Sequence, residues 1–140
     1  MVKAVIDTNC LVASISPRSP HHWLYDAFKK ELFQWAVSNE ILTEYEEIIS
    51  KRYSVKAADF VISTLLVAPN VTFNSPYFRW QLIENDLDDN KFVDVYVSSN
   101  ADFLVSHDSD FNVLKFLEFP KINVVSLNQF KISIQDVSNR

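Results

Sequence analysis

A chain of 140 residues, 48% of them hydrophobic and 22% charged, is long enough to bury a single core without disulfides or structural metals. Its formal net charge of −5 argues against a simple basic clamp for nucleic acid. The absence of glycine argues against P-loops, GxGxxG dinucleotide folds and GxSxG nucleophile elbows, and the single cysteine, Cys10, excludes an intrachain disulfide and a CxxC motif.

No stretch of the sequence has the composition of a membrane span or of a secretory signal. Apolar runs stay well below the roughly 20 residues that a span requires, and the acidic Asp7 follows the N terminus too early for a signal peptide. No repeat or linker composition divides the chain. We therefore expect one soluble, cytoplasmic domain over residues 1–140.

Strand and helix patterns alternate along the chain. In chain order they predict strand 2–6, helix 21–32, strand 33–37, helix 39–52 capped by Ser38, helix 55–68, strand 70–73, a helix capped by Asp86 or Asp88 and reaching about residue 100, strand 102–106, a short helix ending at Leu117, strand 122–125 and a final helical turn after Ser126. Such alternation predicts βαβ units. We therefore expect an α/β fold, a three-layer sandwich with a central parallel sheet.

Aspartates follow two of the predicted strands. Asp7, with the neutral polar residues Thr8 and Asn9 after it, ends the first strand, and Asp108 follows strand 102–106. In parallel sheets functional groups gather beyond the carboxyl ends of the strands, which makes both aspartates candidate site residues. The alternative is a local turn or cap, and at the second position Asp110 could cap the next helix while Asp108 serves a site.

Two predicted helices carry acids near their apolar faces. On the helix that begins near Asp89, this residue points towards the apolar side and Asp94 points almost the opposite way. Burying a carboxylate is costly unless it is neutralised, hydrogen-bonded or bound to a cation, although Asp89 could also simply cap its helix. On helix 39–52, Glu44 and Glu46 flank the apolar face equally, and a solvated acidic face explains them as well.

These acids are compatible with a metal centre if the fold brings them together. Asp7, Asp89, Asp108 and one of the two glutamates cannot all stay ionised at close range without a counter-charge. Mg²⁺ prefers carboxylate and water oxygens, and it can bind a phosphodiester during its hydrolysis. The sequence therefore indicates metal-dependent phosphodiester chemistry.

Four segments resemble PIN-domain ribonucleases, in the subgroup of toxin components of toxin-antitoxin pairs. They are VKAVIDTN at 2–9, SNEILTEY at 38–45, DLDDNKF at 86–92 and NADFLVSHDSDF at 100–111, and the likeness extends to strand 122–125. The resemblance departs at Asn100 and His107, where relatives commonly carry glycine. Asparagine tolerates the left-handed conformation, so we expect Asn100 to make that turn.

The resemblance assigns roles to individual residues. It implies Asp7, Glu44, Asp89 and Asp108 as the catalytic acids, which selects Glu44 over Glu46. It implies metal ligation by Asp7, Asp89 and Asp108, with Asp110 as an accessory ligand or in place of Asp108. Asn9 and Ser106 would orient the carboxylates. Lys91 and Arg79 are candidates for RNA backbone contacts, against the alternative of ordinary solubilising charge.

The activity that the resemblance implies is endoribonuclease cleavage of single-stranded or loop RNA by water attack on phosphorus, with Mg²⁺ or Mn²⁺ as cofactor. It also implies inhibition by an antitoxin protein and a homodimer or higher homo-oligomer, without membrane association. One alternative is a catalytically inactive PIN-like module that binds RNA or protein. A receiver or phosphatase-like domain is a second alternative, but its chemistry favours an acid pair where Asp7, Thr8 and Asn9 supply one acid.

Overall fold

Five strands form one fully parallel sheet in the computed structural model, which describes residues 1–84 and 86–138. The strand order is β3-β2-β1-β4-β5, so the two strands that precede the candidate acids, β1 and β4, are neighbours at the centre. The strands are β1 (Lys3–Ile6), β2 (Gln34–Val37), β3 (Val71–Phe73), β4 (Phe103–Val105) and β5 (Val124–Val125). The predicted strands and the parallel sheet are confirmed.

Helices cover the sheet, as expected for a parallel sheet with apolar faces on both sides. They are α1 (Thr8–Ile15), α2 (Trp23–Lys29), α3 (Asn39–Arg52), α4 (Val55–Val67), α5 (Asn90–Ser99) and α6 (Leu127–Ser138), with 3₁₀ helices at Leu87–Asp89 and Ser109–Phe116. Ser38 caps α3 as predicted, because its hydroxyl accepts a hydrogen bond from the Ile41 N–H. None of these helices is both long and apolar enough to cross a membrane.

Two elements differ from the sequence prediction. The helix α1 follows β1 directly, and the sequence patterns did not reveal it because it is short and its stability comes from burying Cys10 and Leu11 against its neighbours. The short helix predicted after Asp108 is present, as the 3₁₀ helix Ser109–Phe116. The final element is the twelve-residue helix α6, not a single turn, and it is held by burial of Phe130.

The core places α3 against the carboxyl end of β1. Trp35 and Tyr45 are fully buried, and the Trp35 ring N–H donates to the Tyr45 hydroxyl at 3.2 Å. That hydroxyl donates in turn to the carbonyl of Ile6, the last residue of β1. Because an unpaired buried hydroxyl is costly, this chain of hydrogen bonds fixes the position of α3 relative to the strand end. Glu44, one residue before Tyr45, is positioned by the same contact.

Residues 74–84 cross over α5 and bury the side of this helix that its apolar periodicity assigned to solvent. Asp94 is buried, contrary to the sequence prediction, and accepts a hydrogen bond from the Trp80 N–H at 3.0 Å. Asn90 holds the same segment through both the N–H and the carbonyl of Ile83, each at 2.9 Å. A helical wheel describes one helix, so it could not anticipate this second covering layer.

Asn100 ends α5 in the left-handed conformation, with φ of 57° and ψ of 43°. The predicted turn is therefore confirmed, and asparagine replaces glycine there at low steric cost. His107 is exposed, and its Nε2 accepts a hydrogen bond from the Leu127 N–H at the start of α6. This residue therefore anchors α6 beside the strand end that precedes Asp108.

Candidate metal centre

Asp7 lies at the carboxyl end of β1, beside the end of β4. The parallel register pairs Ile6 with Val105, so Asp7 and Ser106 are the first residues beyond two adjacent strands. The Ser106 hydroxyl donates to Asp7 Oδ2 at 2.8 Å and accepts from the Asp108 N–H at 3.0 Å. Asp7 and Ser106 are both buried. The predicted orienting role of Ser106 therefore has a direct geometric basis.

Asp89 contributes a buried carboxylate from the 3₁₀ turn that precedes α5. It is 8% exposed, and its Oδ2 is buried without a hydrogen-bond partner among the described residues. One carboxylate oxygen from each of Asp86, Asp89 and Asp110 lies within 4.8 Å of the other two, and these three residues form the carboxylate cluster. A buried carboxylate oxygen without a partner is costly, and a bound cation would relieve that cost.

The charges of these carboxylates act on one another. Burial raises the pKa of Asp7 to about 6, opposed by the hydrogen bonds from Ser106 and from the Thr8 backbone and supported by the charges of Asp108 and Glu44. Burial also raises the pKa of Asp89 to about 7, with further repulsion from Asp86, Asp7, Asp108 and Asp110. Carboxylates that repel one another at a shared, partly desolvated position are relieved by protonation or by a divalent cation.

Glu44 lies close enough to Asp7 for its charge to raise the pKa of Asp7, and each of its own carboxylate oxygens has a partner. Lys91 Nζ donates to its Oε1 at 2.8 Å, and the Thr8 hydroxyl donates to its Oε2. The other glutamate that flanked the apolar face, Glu46, is exposed. Thr8 thus serves as a neutral polar partner in the site, whereas Asn9 is exposed on the outer side of α1.

The two aspartates after β4 have different surroundings. Asp108 Oδ1 accepts from the Asp110 N–H at 2.9 Å and caps the 3₁₀ helix, while Asp110 places a carboxylate oxygen near Asp86 and Asp89. Asp108 therefore caps the helix and Asp110 lies at the cluster, which is the opposite of the sequence hypothesis in which Asp110 caps and Asp108 serves the site. Asp86 also joins the cluster, although the sequence suggested it only as a cap. The acidic run 86–89 was the signal for it.

A cavity of about 570 Å³ opens between α3 and α5, partly covered by residues 74–84. Its lining includes Asn39, Arg79, Gln81, Lys91 and Asp94. Arg79 pairs with Glu40 at 3.0 Å, and both side chains are mostly exposed. Lys91 lines the cavity and also contacts Glu44, so it connects the cavity to the acids around Asp7.

The donor set fits a hard divalent cation. All of the candidate ligands are carboxylate oxygens, which suit Mg²⁺ and Mn²⁺ better than softer metals. The buried, unpartnered Oδ2 of Asp89 provides an atom for such an ion to contact. The residues present are therefore chemically suited to hold the metal that the sequence indicated.

Comparisons with known proteins agree with this fold. The sequence profile described as PIN domain matches residues 3–110. The Mycobacterium tuberculosis toxin VapC20, described as cleaving the sarcin-ricin loop, superposes with a TM-score of 0.60 at 16% identity over 82% of this chain and 97% of its own. VapBC from Salmonella typhimurium, solved bound to DNA, gives 0.61 at 16% identity over 91% and 99%.

A eukaryotic structure extends the comparison. The PIN domain of RRP44 from T. brucei gives a TM-score of 0.54 at 14% identity, over 99% of this chain and 84% of its own. At these identities the structural likeness establishes the fold. No curated protein sequence matches the chain.

Proposed function

The chain belongs to the PIN-domain family, and from that premise we propose that it is a metal-dependent endoribonuclease that hydrolyses RNA phosphodiester bonds. The observation that carries the proposal is the buried Asp89 Oδ2, which has no hydrogen-bond partner among the described residues and lies in a cluster with Asp86 and Asp110. The family match covers the elements that carry these acids, and one structural neighbour is a toxin described as cleaving the sarcin-ricin loop.

Asp86, Asp89 and Asp110 are the residues that would hold Mg²⁺ or Mn²⁺, with Asp7 and Asp108 close enough for their charges to raise the pKa of Asp89. When bound, the ion supplies Lewis-acid stabilisation of the phosphodiester and lowers the pKa of water. Ser106 keeps Asp7 Oδ2 oriented and favours its ionised form. The cavity between α3 and α5 is large enough to admit part of a polynucleotide next to the cluster.

The experiment that tests this activity is cleavage of a labelled single-stranded RNA in Mn²⁺, with and without excess EDTA. We expect metal-dependent cleavage by the wild type and a loss of at least about a hundredfold in Asp89→Asn. Asp59→Asn, on the exposed side of α4, is the matched control and should cleave normally. RNA binding without any cleavage by the wild type would support the inactive-module alternative instead.

We also propose that the protein is the toxin of a toxin-antitoxin pair and acts in the cytoplasm as a homodimer. The structural neighbour from Salmonella typhimurium is a VapBC complex, which supports an antitoxin partner. Exposed apolar side chains on α4, including Val55, Phe60 and Val67, support burial against another protein chain. Light scattering of the purified protein tests the dimer, and co-purification with a small DNA-binding protein encoded by the adjacent reading frame tests the antitoxin.

A further inference from the structure

Glu44 differs from the other acids of the site because its carboxylate is already satisfied by the protein. Lys91 contacts one oxygen and Thr8 the other, and the Lys91 and Glu44 side chains are only 14% and 22% exposed. Asp89, in contrast, has a buried oxygen without a partner among the described residues. A cation bound directly to Glu44 would have to approach the Lys91 ammonium, which it would repel. The arrangement therefore favours metal binding at the aspartates and not at Glu44.

Lys91 retains capacity to bind a second anion. Its ammonium group has three N–H donors, and Glu44 accepts from one of them. Lys91 also lines the 570 Å³ cavity, whose wall includes the carboxylates of Glu40, Asp88 and Asp94. A polyanion that enters this cavity needs a positive charge at the point where the cavity meets the acidic cluster. Lys91 supplies such a charge, because it lines the cavity together with Asp88, contacts Glu44 and follows Asp89 by two residues.

The ion pair also fixes where the ammonium group lies. A free lysine side chain samples many rotamers, and losing that freedom on binding weakens an interaction. Glu44 is positioned by the neighbouring Tyr45, which contacts Ile6, and by the Thr8 hydroxyl. Lys91 is therefore held in place before any ligand arrives, which reduces the entropic cost of contacting a phosphate.

We propose that Glu44 is a positioning residue for Lys91 and not a metal ligand, and that Lys91 binds a phosphate of the RNA backbone where the cavity meets the carboxylate cluster. This inference rests on the proposed function. It gives the acid that the resemblance grouped with the metal-binding aspartates a different role. It also separates Lys91 from Arg79, whose contact with Glu40 is exposed.

The first test measures metal affinity by titration calorimetry with Mn²⁺ alone. The double variant Glu44→Gln, Lys91→Met replaces an ion pair, whose charges sum to zero, by two uncharged side chains, so the net charge near the site does not change. We expect its Mn²⁺ affinity to stay within about threefold of wild type, while Asp89→Asn loses at least about tenfold. A loss in the double variant as large as that in Asp89→Asn would make Glu44 a metal ligand and overturn the inference.

The second test measures binding of a fluorescent oligouridylate of about 12 nucleotides across a salt series, with Ca²⁺ replacing Mn²⁺. Lys91→Met should weaken binding about five- to tenfold and reduce the slope of log K against log salt by about 0.7, the value for one phosphate contact on a single strand. Lys91→Arg should restore most of the affinity, because it keeps the charge and the donors. An unchanged salt slope in Lys91→Met would overturn the inference.

The exposed pair Lys51 and Glu47 on α3 supplies the matched control. Its atoms are 3.0 Å apart, like the pair in the site, but both side chains are mostly exposed. Glu47→Gln, Lys51→Met should bind Mn²⁺ and RNA as wild type does, and thermal melts verify that every variant folds. Failure of the wild type to bind Mn²⁺ would overturn the proposed function and this inference with it, whereas normal Mn²⁺ binding with no effect of Lys91→Met overturns only the inference.

Discussion

Ser106 donates a hydrogen bond to Asp7 across 99 positions of sequence, at 2.8 Å between Oγ and Oδ2. The contact joins the ends of the two central strands, β4 and β1. It also determines which form of the carboxyl group is favoured, because a hydrogen bond donated to a carboxylate stabilises its ionised state. A single hydroxyl therefore couples the geometry of the sheet edge to the charge of the candidate metal centre.

Replacing this hydroxyl should weaken metal binding mainly at low pH. Ser106→Ala removes the hydrogen bond that lowers the pKa of Asp7, so burial should raise that pKa above about 6. We expect Mn²⁺ affinity to fall by about three- to tenfold at pH 6 and less at pH 8, where Asp7 ionises in both proteins. Calorimetric titrations at the two pH values measure the effect.

The control for this prediction is Ser133→Ala on α6. Ser133 also donates a side-chain hydrogen bond, to the Gln129 carbonyl at 3.0 Å, but it lies on a surface helix. The Mn²⁺ affinity of Ser133→Ala should equal that of the wild type at both pH values. A Ser106→Ala loss that is equal at pH 6 and pH 8 would contradict the proposed effect on Asp7 ionisation.

The metal-free protein should lose stability as pH rises through neutrality. Because burial raises the pKa of Asp89 from 3.8 to about 7, the folded state favours the protonated carboxyl. The resulting stabilisation is complete below about pH 4 and is lost as pH rises through about 7. The side chain at position 89 cannot ionise in Asp89→Asn, so this variant should unfold at a temperature a few degrees higher than wild type at pH 8. This shift corresponds to roughly 1–2 kcal/mol in the free energy of unfolding.

Thermal melts in EDTA measure this difference, and Mn²⁺ should reverse it. The ion binds the folded wild type and raises its midpoint at pH 8, but it should have little effect on Asp89→Asn. Asp59→Asn, which changes an exposed acid on α4, should melt as wild type does in both conditions. Equal stability of wild type and Asp89→Asn in EDTA at pH 8 would contradict the destabilising effect of the Asp89 charge.

The segment over α5 should depend on Asn90. Its side chain donates to the Ile83 carbonyl and accepts from the Ile83 N–H, so Asn90→Ala leaves two buried backbone groups without their partner. We expect a loss of roughly 2–3 kcal/mol in unfolding free energy, measured by urea denaturation. Limited proteolysis should then cleave within residues 74–84. Asn128→Ala, at an exposed position of α6, should leave both results unchanged.

The local patterns predicted most of the sheet and its acidic edge. Short apolar runs that end in polar residues identified β1 and β4, and the carboxyl ends of parallel neighbours necessarily meet. The periodicity that placed Asp89 inward agrees with its burial, because a helical turn sets the direction of each side chain. The helix α1 lacked such a signal, since its eight residues are stabilised by contacts with other parts of the chain.

The sequence alone determined that acids stand at the strand ends and at an inward position near α5, because spacing and termination are local properties. Only the tertiary structure decided that Asp110 and Asp86 approach Asp89, that Asp94 is covered and that Lys91 pairs with Glu44. Each of these outcomes depends on which segments pack together and on which donor lies within hydrogen-bond distance of a given oxygen. Such contacts join residues far apart in the chain, and no sequence period records them.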